Sequence, residues 1–316
     1  MKALRFQKFG SPEVLAIEEA PKPVAGEGET LVRVRAASVN PSDVKNVAGR
    51  FKATTLPRTP GRDFAGIVAG GKGVLGEEVW GSAPGAGVTH DGVQAEYCVV
   101  PSEILTRKPR NVSLEQAAAI GVPFITAWAT VVQAARLKAG ETILITGAAG
   151  AVGQAAVQIA RSLKARVLGA DRKAGRVAGA DAVIDMSSED LRERTLALTG
   201  GKGANVVLDT VGGPAFEPAL RSLAKGGRQI VITSVADPRV SSNLVDFYHN
   251  ASHLIGVDTM ALTAGEVAEI EAALNRAFEA GTLTPPDVEA IPFEKAVDAY
   301  LKVESGSVTA KQVLTL

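Results

Sequence analysis

One cysteine in 316 residues excludes an internal disulfide and any metal site assembled from several thiolates. Aromatic residues make up only 4%, too few for the stacking platforms that hold single-stranded nucleic acid. Neither charge sign dominates: 34 basic residues balance 34 acidic ones, so no global field recruits nucleic acid or an anionic membrane. Met1 to Gly10 lacks an apolar core behind a basic start, and no uninterrupted apolar run of about 18 residues is evident. These absences lead us to expect a soluble protein kept in a reducing cytoplasm, with a small molecule as its partner and neither nucleic acid nor membrane. The length suits two domains, each large enough for its own core.

Glycine is what the chain has in quantity, and its placement is most informative in ETILITGAAGAVGQAAVQIARSLKARVLGAD, Glu141 to Asp171. A β-rich run enters a turn of small residues, and a helix follows with apolar positions at Val152, Ala155, Ala156, Ile159 and Leu163. A second strand then ends in an acid. Ala148, Gly150 and Gly153 fall on the three glycine positions of the G-x-G-x-x-G fingerprint. Small residues there permit a tight turn, close approach of backbone to a pyrophosphate, and packing of helix on strand. Phosphates would rest on the helix N-terminus, at the backbone N–H groups around Gly150, Ala151 and Val152. Asp171 lies roughly 20 residues further on, where the fingerprint expects a carboxylate for a ribose hydroxyl.

The first third reads as an irregular β domain. Val32, Val34 and Ala36 alternate with Arg33 and Arg35, and short strands near Phe64 to Ala69, Glu78 to Gly81 and Ala95 to Val100 are separated by Gly and Pro turns. From about Gly121, apolar strands alternate with helices, the strands ending near Thr146, Ala170, Ile184, Asp209, Thr233 and Val257. Six such strands with crossover helices describe a doubly wound parallel sheet. The tail adds amphipathic helices near Glu266 to Ala280 and Glu294 to Val303, then a strand, Lys311 to Leu316.

In this order the pieces resemble the medium-chain dehydrogenase/reductase superfamily, and within it the zinc-free, ζ-crystallin-like quinone oxidoreductases. The resemblance rests on MKALRF, ASVNPSD (Ala37 to Asp43), PGRDFAGIV (Pro60 to Val68), QAEY (Gln94 to Tyr97), FITAW (Phe124 to Trp128), AAGAVG (Ala148 to Gly153), VLDTVGG (Val207 to Gly213) and AKQVLTL. It implies an α/β protein: a GroES-like β-rich domain, residues 1–120 completed by 262–316, and a Rossmann doubly wound domain, residues 121–261. It also implies a nicotinamide and a substrate held in the cleft between them, and a homodimer joined through the sixth Rossmann strand near Leu254 to Val257. Where zinc relatives carry a cysteine ligand this chain has Asn40, and in place of Gly-His-Glu it has Gly61, Arg62 and Asp63, so no metal is expected. His249 and His253, spaced for one helix face, lack an evident third ligand.

The resemblance places Asn40, Asp43 and Lys45 as candidate catalytic residues. Asn40 supplies an amide; Lys45 would orient a carbonyl or stabilise a forming enolate. Asp43 has an alternative as the cap of a helix beginning near Val44, and Lys45 as an ordinary solvated lysine. On the cofactor side the candidates are Thr126, Val211, Thr233 and Ser234 near the nicotinamide. Thr126 has the alternative of bonding back to its own helix, and buried Asp209 is expected to satisfy turn amides. Asp171 favours NADH by repelling a 2′-phosphate, whereas Arg172, Lys173 and Arg176 suit phosphate; family habit favours NADP(H), with NAD(H) as the alternative. The implied function is NAD(P)H-dependent reduction of a quinone or an α,β-unsaturated carbonyl. Two alternatives remain: an enoyl-thioester reductase, with Arg50, Lys52 and Arg58 at a basic entrance, and a non-catalytic dinucleotide- or RNA-binding protein.

Overall fold

A computed structural model describes residues 1–235 and 238–316. The chain divides into two compact units, residues 1–125 with 260–316 and residues 126–259. The first opens with an antiparallel pair, β1 (Lys2–Phe6) and β2 (Leu15–Glu19), followed by β3 (Glu29–Ser38), helix α1 (Pro41–Val47), β4 (Asp63–Gly71), β5 (Glu78–Ser82), β6 (Tyr97–Pro101) and β7 (Thr106–Arg107). The alternation read from TLVRVRAA holds: Val32, Val34 and Ala36 are buried in β3 while Arg33 is exposed. Cys98 is buried on β6, and burial pushes its thiol up to about 12, which leaves it protonated and inert. Helix α2 (Leu114–Trp128) carries the chain onward and continues as a π-helical segment, Ala129–Ala134. By length and composition Leu114–Ala134 is apolar enough to cross a bilayer, although Glu115, Gln116, Thr126 and Thr130 interrupt its apolar run. Most of it is buried inside the protein, as a core helix would be.

The second unit holds β8 (Thr142–Thr146), α3 (Ala151–Ser162), β9 (Arg166–Asp171), β10 (Ala182–Asp185), α4 (Leu191–Leu198), β11 (Ala204–Asp209), α5 (Phe216–Leu220), β12 (Leu223–Val231), α6 (Leu244–His249) and β13 (His253–Gly256). Its six strands are parallel in the order β10-β9-β8-β11-β12-β13, so the chain reverses direction across the sheet between β8 and β11. Ligands of open α/β sheets collect outside the strand ends at such a reversal. Ala155, Ala156 and Ile159 bury one face of α3 against the sheet, and Leu144, Leu168, Val207 and Phe216 share a core.

The tail rejoins the first unit as α7 (Ala264–Glu279), β14 (Val288–Pro292), α8 (Ala296–Glu304) and β15 (Lys311–Thr315). Strand β15 pairs with β3, which places β14 and β15 at one end of the sheet β14-β15-β3-β4-β5-β7, with β6 also on β3. Tyr300 and Phe293 pack with Phe6, Val47 and Leu314, so residues from opposite ends of the chain share one core.

Candidate functional site

Strand β8 delivers the chain into a turn that glycine makes possible. Gly147 adopts φ 65°, in the left-handed region, where an added Cβ would also collide with the Thr210 hydroxyl. A Cβ on Gly153 would strike the Gly147 carbonyl, so Gly153 is the glycine that seats the helix on the strand. The tight turn thus belongs to Gly147, a residue the fingerprint alignment passed over, and not to Ala148, whose methyl group is buried next to Gly169. Gly150 is different: φ is −77°, and a Cβ would meet only the Gly147 carbonyl oxygen, at 3.2 Å. That contact is tight, but the fold places less demand on this glycine than on Gly153. What it leaves open is space beside the first turn of α3, where Gly150 and Ala151 are exposed and Val152 is half-buried. The opening N–H groups of a helix lack intrahelical acceptors and carry its positive end, so this cradle fits a pyrophosphate.

Asp171 ends β9 beside this turn. Its Oδ2 accepts the Ala149 N–H at 3.0 Å and its Oδ1 the Lys173 N–H at 2.8 Å. Arg172 is exposed immediately after it, and a short 3-10 turn, Ala174–Arg176, follows. Across the reversal point, Asp209 does what a buried carboxylate requires. Its Oδ1 accepts from the Thr146 hydroxyl at 2.7 Å, the Val211 N–H at 3.0 Å and the Gly212 N–H at 2.9 Å. Val211 is half-buried in this turn, and its carbonyl accepts the Val235 N–H at 2.9 Å. Thr233 and Ser234, also half-buried, follow the end of β12 at Val231, a strand slightly shorter than expected. Thr126 lies at the start of this unit with its hydroxyl 3.4 Å from that of Thr259. The hydroxyl bonded back along the helix is that of Thr130, which donates to the Thr126 carbonyl at 2.8 Å.

The first unit gathers a second set of chemical groups around the end of β3. Asn40 is 1% exposed: its amide nitrogen donates to Asp63 Oδ2 at 2.8 Å, and its Oδ1 accepts from the Lys311 ammonium, which also donates to the Val39 carbonyl at 3.1 Å. Asp63 is the hub that residue-by-residue reasoning missed. Its oxygens also accept from Ser38 Oγ at 3.1 Å, Ser82 Oγ at 2.6 Å and the Val122 N–H at 3.0 Å. Asp43 is not the cap of a helix starting near Val44: α1 starts at Pro41, Asn40 is the cap, and the Asp43 carboxylate reaches back to accept the Asn40 N–H at 2.8 Å. Proline at the first helical position, already set to helical φ, moved the start. Burial raises Asp43 to about 6, against the opposing pull of the Arg62 charge. Lys45 sits on the exposed side of α1.

Two further expectations are corrected. His249 closes α6 while His253 opens β13, so the two imidazoles do not share a helix face. Arg58 does not line a basic entrance: it is buried, and its guanidinium is bonded to the Thr55 carbonyl at 3.1 Å and hydroxyl at 2.6 Å and paired with Asp91 at 3.5 Å.

Residues 26–110 match the alcohol dehydrogenase GroES-like domain family, and residues 151–278 the zinc-binding dehydrogenase family. The chain is 32% identical to the quinone oxidoreductase of Pongo abelii over 324 residues, which cover 100% of this chain and 98% of the relative. Among solved structures it is similar to an NAD-dependent alcohol dehydrogenase, 29% identical with a TM-score of 0.89, and to a mycobacterial protein complexed with NADPH, 28% identical with a TM-score of 0.89; each match covers 100% of both chains. The zinc in the family description does not fit the donors present. Catalytic zinc takes about three protein ligands of the His, Cys or carboxylate type, and among the described residues no group of His, Cys, Asp and Glu is suited to a metal.

Proposed function

Because the chain belongs to the medium-chain dehydrogenase/reductase family, alongside its quinone oxidoreductases, we propose that this NAD(P)H-dependent oxidoreductase reduces quinones or α,β-unsaturated carbonyls by hydride transfer, without zinc. The observation that carries the proposal is the donor set of the first unit. Asn40 and Arg62 stand where zinc relatives place ligands, and a buried, permanently charged guanidinium repels a cation. Without a Lewis acid to polarise an isolated carbonyl, the favoured acceptor is one whose own conjugated π system takes up the charge that arrives with hydride.

When bound, the nicotinamide supplies the hydride; the protein contributes orientation and donors for developing negative charge. Gly150, Ala151 and Val152 would hold the pyrophosphate, Asp171 and Arg172 the adenosine ribose, and Thr126, Val211, Thr233 and Ser234 the nicotinamide end. On the acceptor side, Asn40 and Asp43 brace the start of α1 from within, and Lys45 is the exposed cation of that helix. We further propose that two copies associate along β13, with the protein working in the cytoplasm on small molecules.

Steady-state oxidation of NADPH and NADH against panels of quinones, enals and simple aldehydes, with and without a chelator, tests the proposal. Chelator-insensitive turnover of quinones or enals is expected. Turnover restricted to simple aldehydes and abolished by the chelator would overturn it.

A further inference from the structure

Strand β14 is an edge of its sheet: among the described residues only β15 pairs with it. The Lys311 N–H donates to the Asp287 carbonyl at 2.8 Å, just ahead of the strand. Backbone groups alternate sides along a strand, so Glu289 and Ile291 also turn theirs to β15, while Val288 and Ala290 turn theirs outward. Pro292 adds an outward carbonyl but has no N–H. Ala290 is exposed, and a row of unused donors and acceptors is a template for one more strand.

Helix α8 turns back along this strand, because the 3-10 turn Phe293–Lys295 reverses the chain and Lys302 then meets Glu289 at 2.6 Å. Between the two lies a groove of about 540 Å³, floored by β14 and walled by Lys295, Asp298 and Leu301. Those three recur every third residue, so one face of the helix lines the groove. At one end charge is settled, since Glu289 accepts from Lys302 and, at 2.8 Å, from the Gln312 amide. At the other, Lys295 and Asp298 are exposed, and among the described residues neither side chain has a partner. Leu301 is 36% exposed. From the Pro292 end, the wall therefore presents a cation, an anion and an aliphatic side chain in that order.

We propose that the groove between β14 and α8 docks an extended peptide segment of a partner protein, added antiparallel to β14 and carrying an acid, a base and an aliphatic residue at alternate positions. Charge complementarity selects this occupant. An antiparallel strand begins beside Pro292, so its side chains on the α8 face meet Lys295 first, then Asp298, then Leu301. The residues between them exchange backbone hydrogen bonds with Ala290 and Val288. Main-chain bonds then supply affinity and the alternate side chains supply the choice of sequence. A purely apolar strand would leave both unpaired charges beside it without a partner, and a segment with the acid and base exchanged would set like charges together.

Fluorescence anisotropy with the full-length protein tests this, using the amidated peptide Ser-Glu-Val-Lys-Val-Leu-Thr with a dye on its N-terminus. The control, Ser-Lys-Val-Glu-Val-Leu-Thr, has the same composition with acid and base exchanged. The first should bind with a Kd below about 1 mM and the second about tenfold or more weakly. The double variant Lys295→Glu/Asp298→Lys, which alters only exposed side chains, should reverse that preference. In the bound strand the valine N–H groups face β14 and the lysine N–H faces away. Methylating both valine nitrogens should therefore abolish binding, whereas methylating the lysine backbone nitrogen should change Kd by less than about threefold. These peptide comparisons need only the wild-type protein. No binding at about 1 mM, equal affinity for the two peptides, or equal loss from either methylation would overturn the proposal. A wild-type mass that falls in the double variant, with no peptide bound, would give the edge to a second copy and overturn it as well.

Discussion

The Asp171 carboxylate accepts the Ala149 N–H at 3.0 Å, so the acid that ends one strand closes the turn that leaves its neighbour. This bond gives the residue a role in the shape of the turn, beside the one proposed for it toward the ribose.

The two roles separate in Asp171→Ser. Removing a carboxylate that faces a 2′-phosphate relieves repulsion of about 1 kcal/mol or more at a partly solvated site, so the NADPH to NADH affinity ratio should rise about fivefold or more. The same change strips a charged acceptor from the Ala149 and Lys173 amides, and stability should fall by about 1–2 kcal/mol. Dissociation constants from fluorescence titration and a urea unfolding curve measure the two effects. An unchanged ratio with lowered stability would confine Asp171 to the turn.

The glycines of the cradle should behave oppositely. Gly150→Val brings its Cβ to 3.2 Å from the Gly147 carbonyl oxygen, a tight contact but not the clash met at Gly153, so thermal stability should fall less than for Gly153→Ala while dinucleotide affinity falls by about a hundredfold or more. Gly153→Ala drives a Cβ into the Gly147 carbonyl and should cost about 2 kcal/mol or more of stability. Melting temperatures paired with binding titrations distinguish them. A strongly destabilised Gly150→Val would mean that the turn, not the ligand, needs that glycine.

Glu271 makes stability pH-dependent. It is fully buried on α7, accepts the Ser82 N–H at 2.7 Å and the Thr106 hydroxyl at 3.2 Å, and burial holds its carboxyl well above the usual carboxylate range. A carboxyl raised on folding contributes stability that is complete below its unfolded pKa of roughly 4.3 and is lost as pH climbs through the folded value. Asp43, raised to about 6, adds a loss of the same sign between roughly pH 4 and 6. Glu271→Gln keeps an acceptor for Ser82 without a titrating proton, so it should flatten the decline on the alkaline side and be more stable than wild type, relative to acid conditions, by about 1 kcal/mol or more. Urea midpoints at pH 5 and pH 8 test this; parallel shifts at both would refute it.

The edge strand β13 should carry the proposed self-association. Leu254 on it is 49% exposed, and Leu244 and Tyr248 of the adjoining α6 are 69% and 59% exposed, and among the described residues β13 is an edge strand of its sheet. Light scattering at micromolar concentration should give twice the chain mass, and Leu254→Lys should shift it toward the monomer. A monomeric wild type would count against the assignment.

The βαβ unit was legible from Thr142 to Asp171 because its signals are local: apolar period, small residues at a turn and a terminal acid all fall within a few helical turns of one another. Asp209 was legible too, since a carboxylate at the end of an apolar strand must find donors in the turn that follows. Local pattern did not separate Gly147 from Ala148, because the positive φ and the Thr210 hydroxyl beside it arise only when β8 and β11 pair. It did not place the start of α1 at Pro41, nor show that Asn40 is engaged by a lysine 271 residues away. The Asp63 hub likewise depends on β3, β4, α1 and the returning tail being folded together. Secondary structure and the dinucleotide turn follow from interactions within a short reach of chain, whereas which polar groups meet in a buried cluster is decided by packing between distant segments.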